Sequence, residues 1–205
     1  LFASVSPRYA HLNLGIERAD SVGADGHKWL NVPYDCGFAF VRDAGALRAA
    51  FNASGAYIAP APDLGPDPMA HLPEMSRRFR GLAAWAALRA YGRSGYREMV
   101  ERCADNAASF ANWVEQTDGL ELMAPAPLNI VCFRYAPSGL DDGATDAFNR
   151  DAIAAIQRDG RAFVTGTVWN GRAAIRAAFD NWATTAADVE ILQAAVRDQR
   201  PGERR

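Results

Sequence analysis

The sequence predicts a mixed α/β fold, and three observations support that prediction. From residue 96 onward, the apolar periodicity follows the order helix, strand, helix, strand, strand, helix. Two short strand-like segments, 20–24 and 36–42, precede this part. The dipeptide Asn170-Gly171 is a strong signal for a hairpin turn. Together they predict a small C-terminal α/β domain that has a mostly antiparallel sheet with helices on one face.

The first half of the chain divides into short elements and one long loop. Residues 1–20 predict a short helix and turns, and residues 43–52 predict a short helix. The stretch 53–73 is rich in glycine, proline and aspartate, which predicts a long loop of the kind that often carries function. Apolar positions three and four residues apart then predict two helices, 78–91 and 96–116, with Gly92 ending the first.

The second half supplies the elements of the small sheet. They are a strand at 129–135, a helix at 146–158 that ends at Gly160, and hairpin strands at 162–169 and 173–179. Thr185 and Asp188 stand three residues apart, as in a capping box, and predict the start of the last helix. Val189, Leu192 and Val196 predict the buried face of that helix.

The composition is that of an ordinary globular chain and excludes several classes of partner. Of 205 residues, 49% are hydrophobic and 22% charged, with a net charge of −2. There is no basic stripe for nucleic acid and no apolar run near the roughly 20 residues that a membrane span needs. Cys36, Cys103 and Cys132 are widely spaced and fit neither a disulfide framework nor a metal site. We therefore expect a cytoplasmic protein with neither a nucleic-acid nor a membrane partner.

The most informative residues surround Lys28, in the run Asp25-Gly26-His27-Lys28-Trp29-Leu30. A lysine that forms a Schiff base with pyridoxal phosphate must be neutral, and partial burial lowers its pKa. The apolar residues on both sides of Lys28 could provide that burial, and Gly26 allows close approach of a ligand. His27 could donate a hydrogen bond to a phosphate or to the ring. The alternative interpretation is a surface loop with a solvated lysine.

The longer run from Ala19 to Val41 resembles the signature of the group II pyridoxal-phosphate-dependent amino-acid decarboxylases, which include the aromatic-L-amino-acid decarboxylases. Two further blocks carry the same resemblance. Pro73 to Gly92 is similar to the helix that follows the family's active-site loop and contains two adjacent arginines. The final strand of the family and the turn after it are matched by Ile175-Arg176, Asn181-Trp182 and Thr184-Thr185.

This resemblance implies an aspartate-aminotransferase-like architecture, called fold type I. Residues 1–92 are then expected to be the end of a large cofactor-binding domain with its active-site loop at 53–73, and residues 93–205 a small α/β domain. Family members are much longer, so we expect a C-terminal portion that is inactive as this fragment alone, or else a naturally short relative. The resemblance also places the ring-stacking histidine, the pyridine-pairing aspartate and most phosphate ligands upstream of Leu1.

The resemblance also assigns roles to four residues and implies that the cofactor is pyridoxal 5'-phosphate. Lys28 is the Schiff-base lysine, and His27 and Asp25 contact the phosphate end of the cofactor. Tyr57 lies 29 residues after Lys28, where decarboxylases of the family carry a loop tyrosine that protonates the substrate Cα. The expected activity is decarboxylation of an amino acid to its amine and CO2, in a homodimer whose subunits both contribute to each active site.

Two alternatives remain open from the sequence. The chain could belong to another pyridoxal-phosphate enzyme of the same fold, such as an aldehyde synthase, which tends to carry phenylalanine at the loop position of Tyr57. It could also be a non-catalytic fragment that serves for dimerisation. Arg77 and Arg78 are expected to act structurally, and Arg176 to be paired where it is buried. The sequence leaves both aromatic and diaminobutyrate-type substrates open.

Overall fold

The computed structural model describes residues 1–51 and 68–200, and it confirms the predicted mixture of helices and strands. Short 3-10 helices lie at Phe2–Val5, Ala10–Asn13, Ile16–Arg18 and Pro68–His71. The strands are β1 (Ser21–Asp25), β2 (Gly37–Val41), β3 (Leu120–Leu122), β4 (Ile130–Tyr135), β5 (Thr165–Trp169) and β6 (Arg172–Ala178). The α-helices are α1 (Ala44–Phe51), α2 (Arg80–Glu115), α3 (Asp142–Asp159) and α4 (Ala186–Arg197).

Strands β1 and β2 form an antiparallel pair by themselves. Their register runs from Ser21 opposite Val41 to Asp25 opposite Gly37. Both strands lie where the sequence predicts them. The segment that joins them carries the Lys28 motif, so the hairpin presents the candidate site at one end.

The other four strands form one antiparallel sheet in the order β3-β4-β6-β5. Asn170 and Gly171 join β5 to β6 with φ angles of 49° and 78°, which confirms the predicted hairpin turn. Strand β3 was not predicted, because three residues at the edge of a sheet are too few for a periodic pattern. The division into domains 1–92 and 93–205 stays a prediction.

Helix α2 contains a sharp break at Gly92, where φ is 59° and ψ is −174°. Glycine adopts this conformation without the steric cost that a Cβ would bring. The break separates the two helices that the sequence predicts in this region. The first begins at Arg80 rather than at residue 78, because Phe79 precedes the helix with a ψ of 69°.

The last two helices begin at side-chain caps. The prediction that α3 begins at residue 146 is wrong, because the Asp141 carboxylate accepts a hydrogen bond from the Ala144 N–H at 2.8 Å and the helix begins at Asp142. Its end at Gly160 is confirmed. The capping box of α4 is also confirmed, since the Thr185 N–H donates to Asp188 Oδ2 at 2.8 Å.

The hydrophobic core joins the small sheet to helices α2 and α4. Phe133 of β4 is fully buried, and its ring meets that of Phe110 of α2 edge-on, with centroids 5.3 Å apart. Val189, Leu192 and Val196 of α4 are buried as predicted. The same core extends to Trp29, Leu30 and Val32, so it also holds the segment around Lys28. Among the described residues, no helix is long and apolar enough to cross a bilayer.

Candidate active site

Lys28 lies in a tight turn between β1 and β2 that backbone hydrogen bonds fix in place. The Gly26 N–H donates to the Cys36 carbonyl at 2.8 Å, and the Asn31 N–H donates to the Lys28 carbonyl at 3.0 Å. A Cβ on Gly26 would stand 2.8 Å from Cys36 Sγ and 2.9 Å from Phe38 Cε2. Gly26 is therefore needed because side chains of the chain itself approach it closely, whereas the sequence suggested close approach by a ligand.

The Lys28 side chain projects away from the core and pairs with Asp25. Its Nζ lies 2.5 Å from Asp25 Oδ2, and 62% of the side chain is exposed. The Asp25 carboxylate raises the pKa of Lys28 through a hydrogen bond and its charge, and Lys28 lowers the pKa of Asp25. The expectation that burial lowers the pKa of Lys28 is therefore wrong for this chain. The effect of desolvation is present but smaller.

The apolar neighbours of Lys28 anchor the turn instead of enclosing the amine. Trp29, Leu30 and Val32 are 7%, 3% and 6% exposed and belong to the hydrophobic core. The buried Tyr96 hydroxyl donates to the Leu30 carbonyl at 3.1 Å, which ties the turn to α2. Burial of these three side chains leaves Lys28 on the solvent side of a firmly held segment.

His27 is held by its neighbours and keeps one ring nitrogen toward the site. Its Nδ1 lies 2.9 Å from the Cys36 carbonyl oxygen and accepts from the Cys36 N–H at 3.4 Å, so the backbone of Cys36 engages this nitrogen in either tautomer. Its Nε2 lies 4.0 Å from Asp25 Oδ1. The exposed Tyr34 packs on the imidazole with ring centroids 4.0 Å apart. His27 is thereby oriented, with Nε2 left for a ligand.

A cavity of about 400 Å³ opens beside the Lys28 amine and brings two distant parts of the chain together. One wall is the Lys28 turn, and the other is the segment after β6. The lining residues are His27, Lys28, Asn31, Val32, Tyr34, Asp180 and Asn181. Asn31, Tyr34 and Asp180 were not among the predicted site residues. No local signal could have indicated Asp180, which lies about 150 residues away from the turn.

Arg176 of β6 contributes positive charge on the same side. The charge of Arg176 lowers the pKa of Lys28, but this effect is smaller than the increase that Asp25 causes. Arg176 is only half-buried, and no carboxylate in the described part of the chain forms an ion pair with it. The expectation of an ion pair was tied to burial, and it stays a prediction for this half-buried arginine. An unneutralised guanidinium near the cavity favours an anionic ligand.

Arg78 and Arg80 act structurally, on the other side of the turn. Arg78 Nη2 lies 2.6 Å from Asp35 Oδ1, and Arg80 Nε lies 2.9 Å from Asp35 Oδ2. Arg80 also pairs with Glu74 at 3.0 Å. Arg77 donates to the carbonyls of Glu74 and Met75. The network ties the segment before α2 to the beginning of β2, as expected for a structural role.

Tyr57 lies outside the described residues, and its catalytic role stays a prediction. The roles of Lys28, His27 and Asp25 toward a cofactor also stay predictions. Their surroundings nevertheless fit an aldehyde cofactor. The chain holds a single lysine among 205 residues, and that lysine places an exposed amine at the rim of a cavity. The His27 ring, Tyr34 and the positive charge of Arg176 stand beside it.

Comparisons with known proteins converge on one family. Residues 2–136 match the family described as "Pyridoxal-dependent decarboxylase conserved domain". Tryptophan decarboxylase 1 of Oryza sativa subsp. japonica is 32% identical over 184 residues, which are 85% of this chain and 35% of that protein. Phenylacetaldehyde synthase of Arabidopsis thaliana is 28% identical over 179 residues, 86% of this chain and 36% of that protein.

A solved structure of the family has the same fold. The crystal structure of Oryza sativa TDC with PLP and tryptamine superposes with a TM-score of 0.88 at 28% identity, over 97% of this chain and 42% of that chain. The chain therefore spans between about a third and two fifths of the length of these relatives. The expected fold class, a mixed α/β portion of a pyridoxal-phosphate-dependent decarboxylase architecture, is confirmed.

Proposed function

We propose that this chain, which belongs to the pyridoxal-dependent decarboxylase family, carries the lysine of a decarboxylase that converts an amino acid to its amine and CO2. One observation supports the proposal above the others. The only lysine of the chain lies in a rigid turn, with its amine exposed at the rim of a cavity of about 400 Å³. An amine in this place is available to a ligand that enters the cavity.

Lys28 would hold pyridoxal phosphate covalently, and His27 would face the cofactor with Nε2, since Nδ1 is engaged with the Cys36 backbone. When bound, the cofactor withdraws electrons from the bond between Cα and the carboxylate. Asp25 stabilises the Lys28 ammonium, so that ammonium must lose its proton before the amine can form a covalent bond. Asp25 lies within reach of Lys28 and is our candidate for controlling that proton.

The substrate carboxylate and the returning proton also have candidate partners. Arg176 is close enough to act on the charge of Lys28, and its own positive charge attracts a carboxylate. Tyr57, in the predicted loop 53–73, is proposed to donate the proton that Cα needs after CO2 leaves. A phenol serves as such an acid when the surrounding loop excludes water.

The substrate class we propose is aromatic L-amino acids, in line with the decarboxylases that the chain resembles. The direct experiment incubates the full-length native protein and pyridoxal phosphate with tryptophan, tyrosine and 2,4-diaminobutyrate, and measures CO2, amine and ammonia. Equal amounts of CO2 and amine from an aromatic substrate support the proposal. Release of amine from diaminobutyrate alone would contradict the substrate class, and no CO2 from any amino acid would contradict the activity.

An aldehyde synthase is the second candidate, because one of the similar proteins is a phenylacetaldehyde synthase. Such an enzyme consumes dioxygen and water and releases CO2, ammonia and hydrogen peroxide with its aldehyde, so the ammonia measured in the same incubation separates the two activities. The tyrosine at position 57 favours the decarboxylase. Tyr57→Phe should therefore raise the ratio of ammonia to amine, whereas Tyr91→Phe, on the break of α2, should leave it unchanged.

We further propose a homodimer in the cytoplasm. The three cysteines are free thiols, which suits a reducing compartment. At the start of α2, every third residue is a large apolar side chain that is between 48% and 74% exposed: Phe79, Leu82, Trp85 and Leu88. This exposed apolar surface is suited to contact with a second subunit. Sedimentation velocity of the full-length protein tests the dimer, and a monomer at micromolar concentration would contradict it.

A further inference from the structure

Asn31 occupies an unusual position between the Lys28 turn and the segment after β6. Its backbone has a φ of 55°, in the left-handed region that few side chains tolerate and asparagine tolerates best. Its side-chain Nδ2 donates to the Trp29 carbonyl at 2.9 Å and to the Asp180 carbonyl at 3.0 Å. Its Oδ1 accepts from the Trp182 N–H at 3.1 Å.

Two of these hydrogen bonds, to Asp180 and from Trp182, join two walls of the cavity, and we call them the Asn31 link. One wall is the turn that carries Lys28, whose carbonyl accepts from the Asn31 N–H at 3.0 Å. The other wall is the segment with Asp180 and Trp182, 149 and 151 residues further along the chain. An amide is suited to this place because it offers two donors and an acceptor on one short side chain.

We propose that Asn31 is a positioning residue, which fixes the separation of the Lys28 amine from the wall formed by the Asp180–Trp182 segment. The inference rests on the proposed function in one respect, namely that Lys28 is the reacting amine. Asn31 itself acts on the backbone of both walls. Without the link, the turn would still be anchored by Trp29 and Leu30, but no other hydrogen bond between described residues would connect it directly to the Asp180–Trp182 segment.

The chain offers a matched control for the backbone. Asn170, in the turn between β5 and β6, also has a positive φ, 49°, and its side chain makes no hydrogen bond to a described residue. Replacement by glycine leaves the left-handed conformation accessible at both positions. Asn31→Gly therefore removes the Asn31 link. Asn170→Gly makes the same covalent change at a position where no such hydrogen bonds are lost.

The first measurement is amide hydrogen exchange of the full-length protein without cofactor, for the wild type and both variants. Asn31→Gly should speed exchange about tenfold or more in residues 26–32 and 179–184, because three hydrogen bonds that hold these segments are lost. Asn170→Gly should leave both segments as in the wild type. Wild-type exchange in Asn31→Gly would overturn the inference.

The second measurement separates positioning from simple stability. In the protein loaded with pyridoxal phosphate, Asn31→Gly should lower kcat about tenfold or more, with a smaller change in KM, because a misplaced reacting group slows the chemical step. Asn31→Asp, which keeps the acceptor for Trp182 but sets a carboxylate oxygen against the Trp29 and Asp180 carbonyls, should lower kcat at least as far as Asn31→Gly. An unchanged kcat alongside faster exchange would also overturn the inference.

The two proposals fail in different ways. If the wild type takes no cofactor on Lys28, the proposed function is wrong, and the exchange measurement still decides whether Asn31 joins the two walls. If Lys28 carries the cofactor but exchange in Asn31→Gly equals that of the wild type, only the Asn31 inference is wrong.

Discussion

Two phenylalanines show how differently the two sheets of this molecule are built. Phe133, in the four-stranded sheet, is fully buried against α2, whereas Phe40, in the β1–β2 hairpin, is 51% exposed. The large sheet closes its own core with helices. The hairpin has only two strands, which are marginal by themselves, and it depends on the anchoring of its connecting turn through Trp29 and Leu30. Stability thus resides mainly in one region and the candidate chemistry in the other.

The cations of the two regions differ in the same way. Arg134 of β4 is 1% exposed and lies 3.3 Å from Asp146, so its charge is enclosed and structural. Lys28 is 62% exposed, beside a cavity. A charge enclosed in this way is unavailable to a ligand. An exposed amine on a rigid support is available, which is what a covalent cofactor requires.

The largest effect is expected from Lys28→Arg, which keeps the charge next to Asp25 and removes the primary amine. Decarboxylase activity should fall about 10⁴-fold or more, because a residue that reacts covalently has no substitute. The free energy of unfolding should stay close to that of the wild type, as for other exposed positions. The activity assay and a urea titration measure the two effects. Activity near the wild-type level would show that Lys28 is not the reacting group.

The next effect concerns stability and compares the two sheets directly. Phe133→Ala should lower the free energy of unfolding by about 3–5 kcal/mol, because it leaves a cavity in a closed core. Phe40→Ala, the matched change in the hairpin, should cost about 1 kcal/mol or less. Urea titrations of both variants provide the comparison. Equal losses would contradict the view that the four-stranded sheet holds most of the stability.

Sequence reasoning located most of the fold because its signals are local. Asn170-Gly171 defines a hairpin by backbone preference, and Thr185 with Asp188 defines a helix start by short-range hydrogen bonds. Strand β3 was not predicted, because three residues are too few to show an alternation of apolar and polar side chains. The start of α3 was misplaced because Asp141 and Asp142 before Gly143 are also typical of a loop.

The sequence allowed the residues of the candidate site to be predicted, but not most of the contacts that surround them. The residues around Lys28 carried the family resemblance, so the motif and the cofactor class could be inferred. The direction of the pKa shift of Lys28 could not be inferred, because it depends on which charged groups surround the amine in space. Asp25 precedes Lys28 by only three residues. A turn brings residues at this spacing together, so the ion pair between them could have been predicted from the sequence. Asn31 could not be found, since its partners Asp180 and Trp182 are distant in sequence.

A smaller loss of stability is expected at the cap of α4. Thr185→Ala should destabilise the protein by about 1 kcal/mol, because it removes one side of the capping box with Asp188. Thr184→Ala is the control, since the hydrogen bond from Asn106 reaches only its backbone carbonyl. Thermal unfolding of both variants measures the difference. A loss in Thr184→Ala as large as in Thr185→Ala would contradict the assignment of the cap.

The smallest effect is a pH dependence in the Lys28 turn. The pKa of Lys28 is raised by Asp25, so the pair stabilises the fold below the unfolded-state pKa of lysine and loses this as pH rises through the folded-state value. The pKa of Asp25 is lowered, so the contribution also disappears as pH falls through the folded-state pKa of that carboxyl. The pair is therefore most effective between these two limits.

Asp25→Asn should move the pH profile of Lys28 labelling by an amine-reactive reagent to lower pH. Peptide mapping separates Lys28, the only lysine of the chain, from the terminal amine. Asp43→Asn is the control, because the Asp43 carboxylate accepts from the Gly45 and Ala46 N–H groups at the start of α1 and does not contact Lys28. An unshifted profile in Asp25→Asn would mean that the ion pair does not control the amine.

The most direct test of the central claim is borohydride reduction of the full-length native protein in the presence of pyridoxal phosphate, followed by peptide mass mapping. The account predicts a pyridoxyl group on the peptide that contains Lys28, and its absence from that peptide in Lys28→Arg. An unmodified Lys28 in the wild type, after saturation with the cofactor, would contradict the claim that this turn carries the reacting amine.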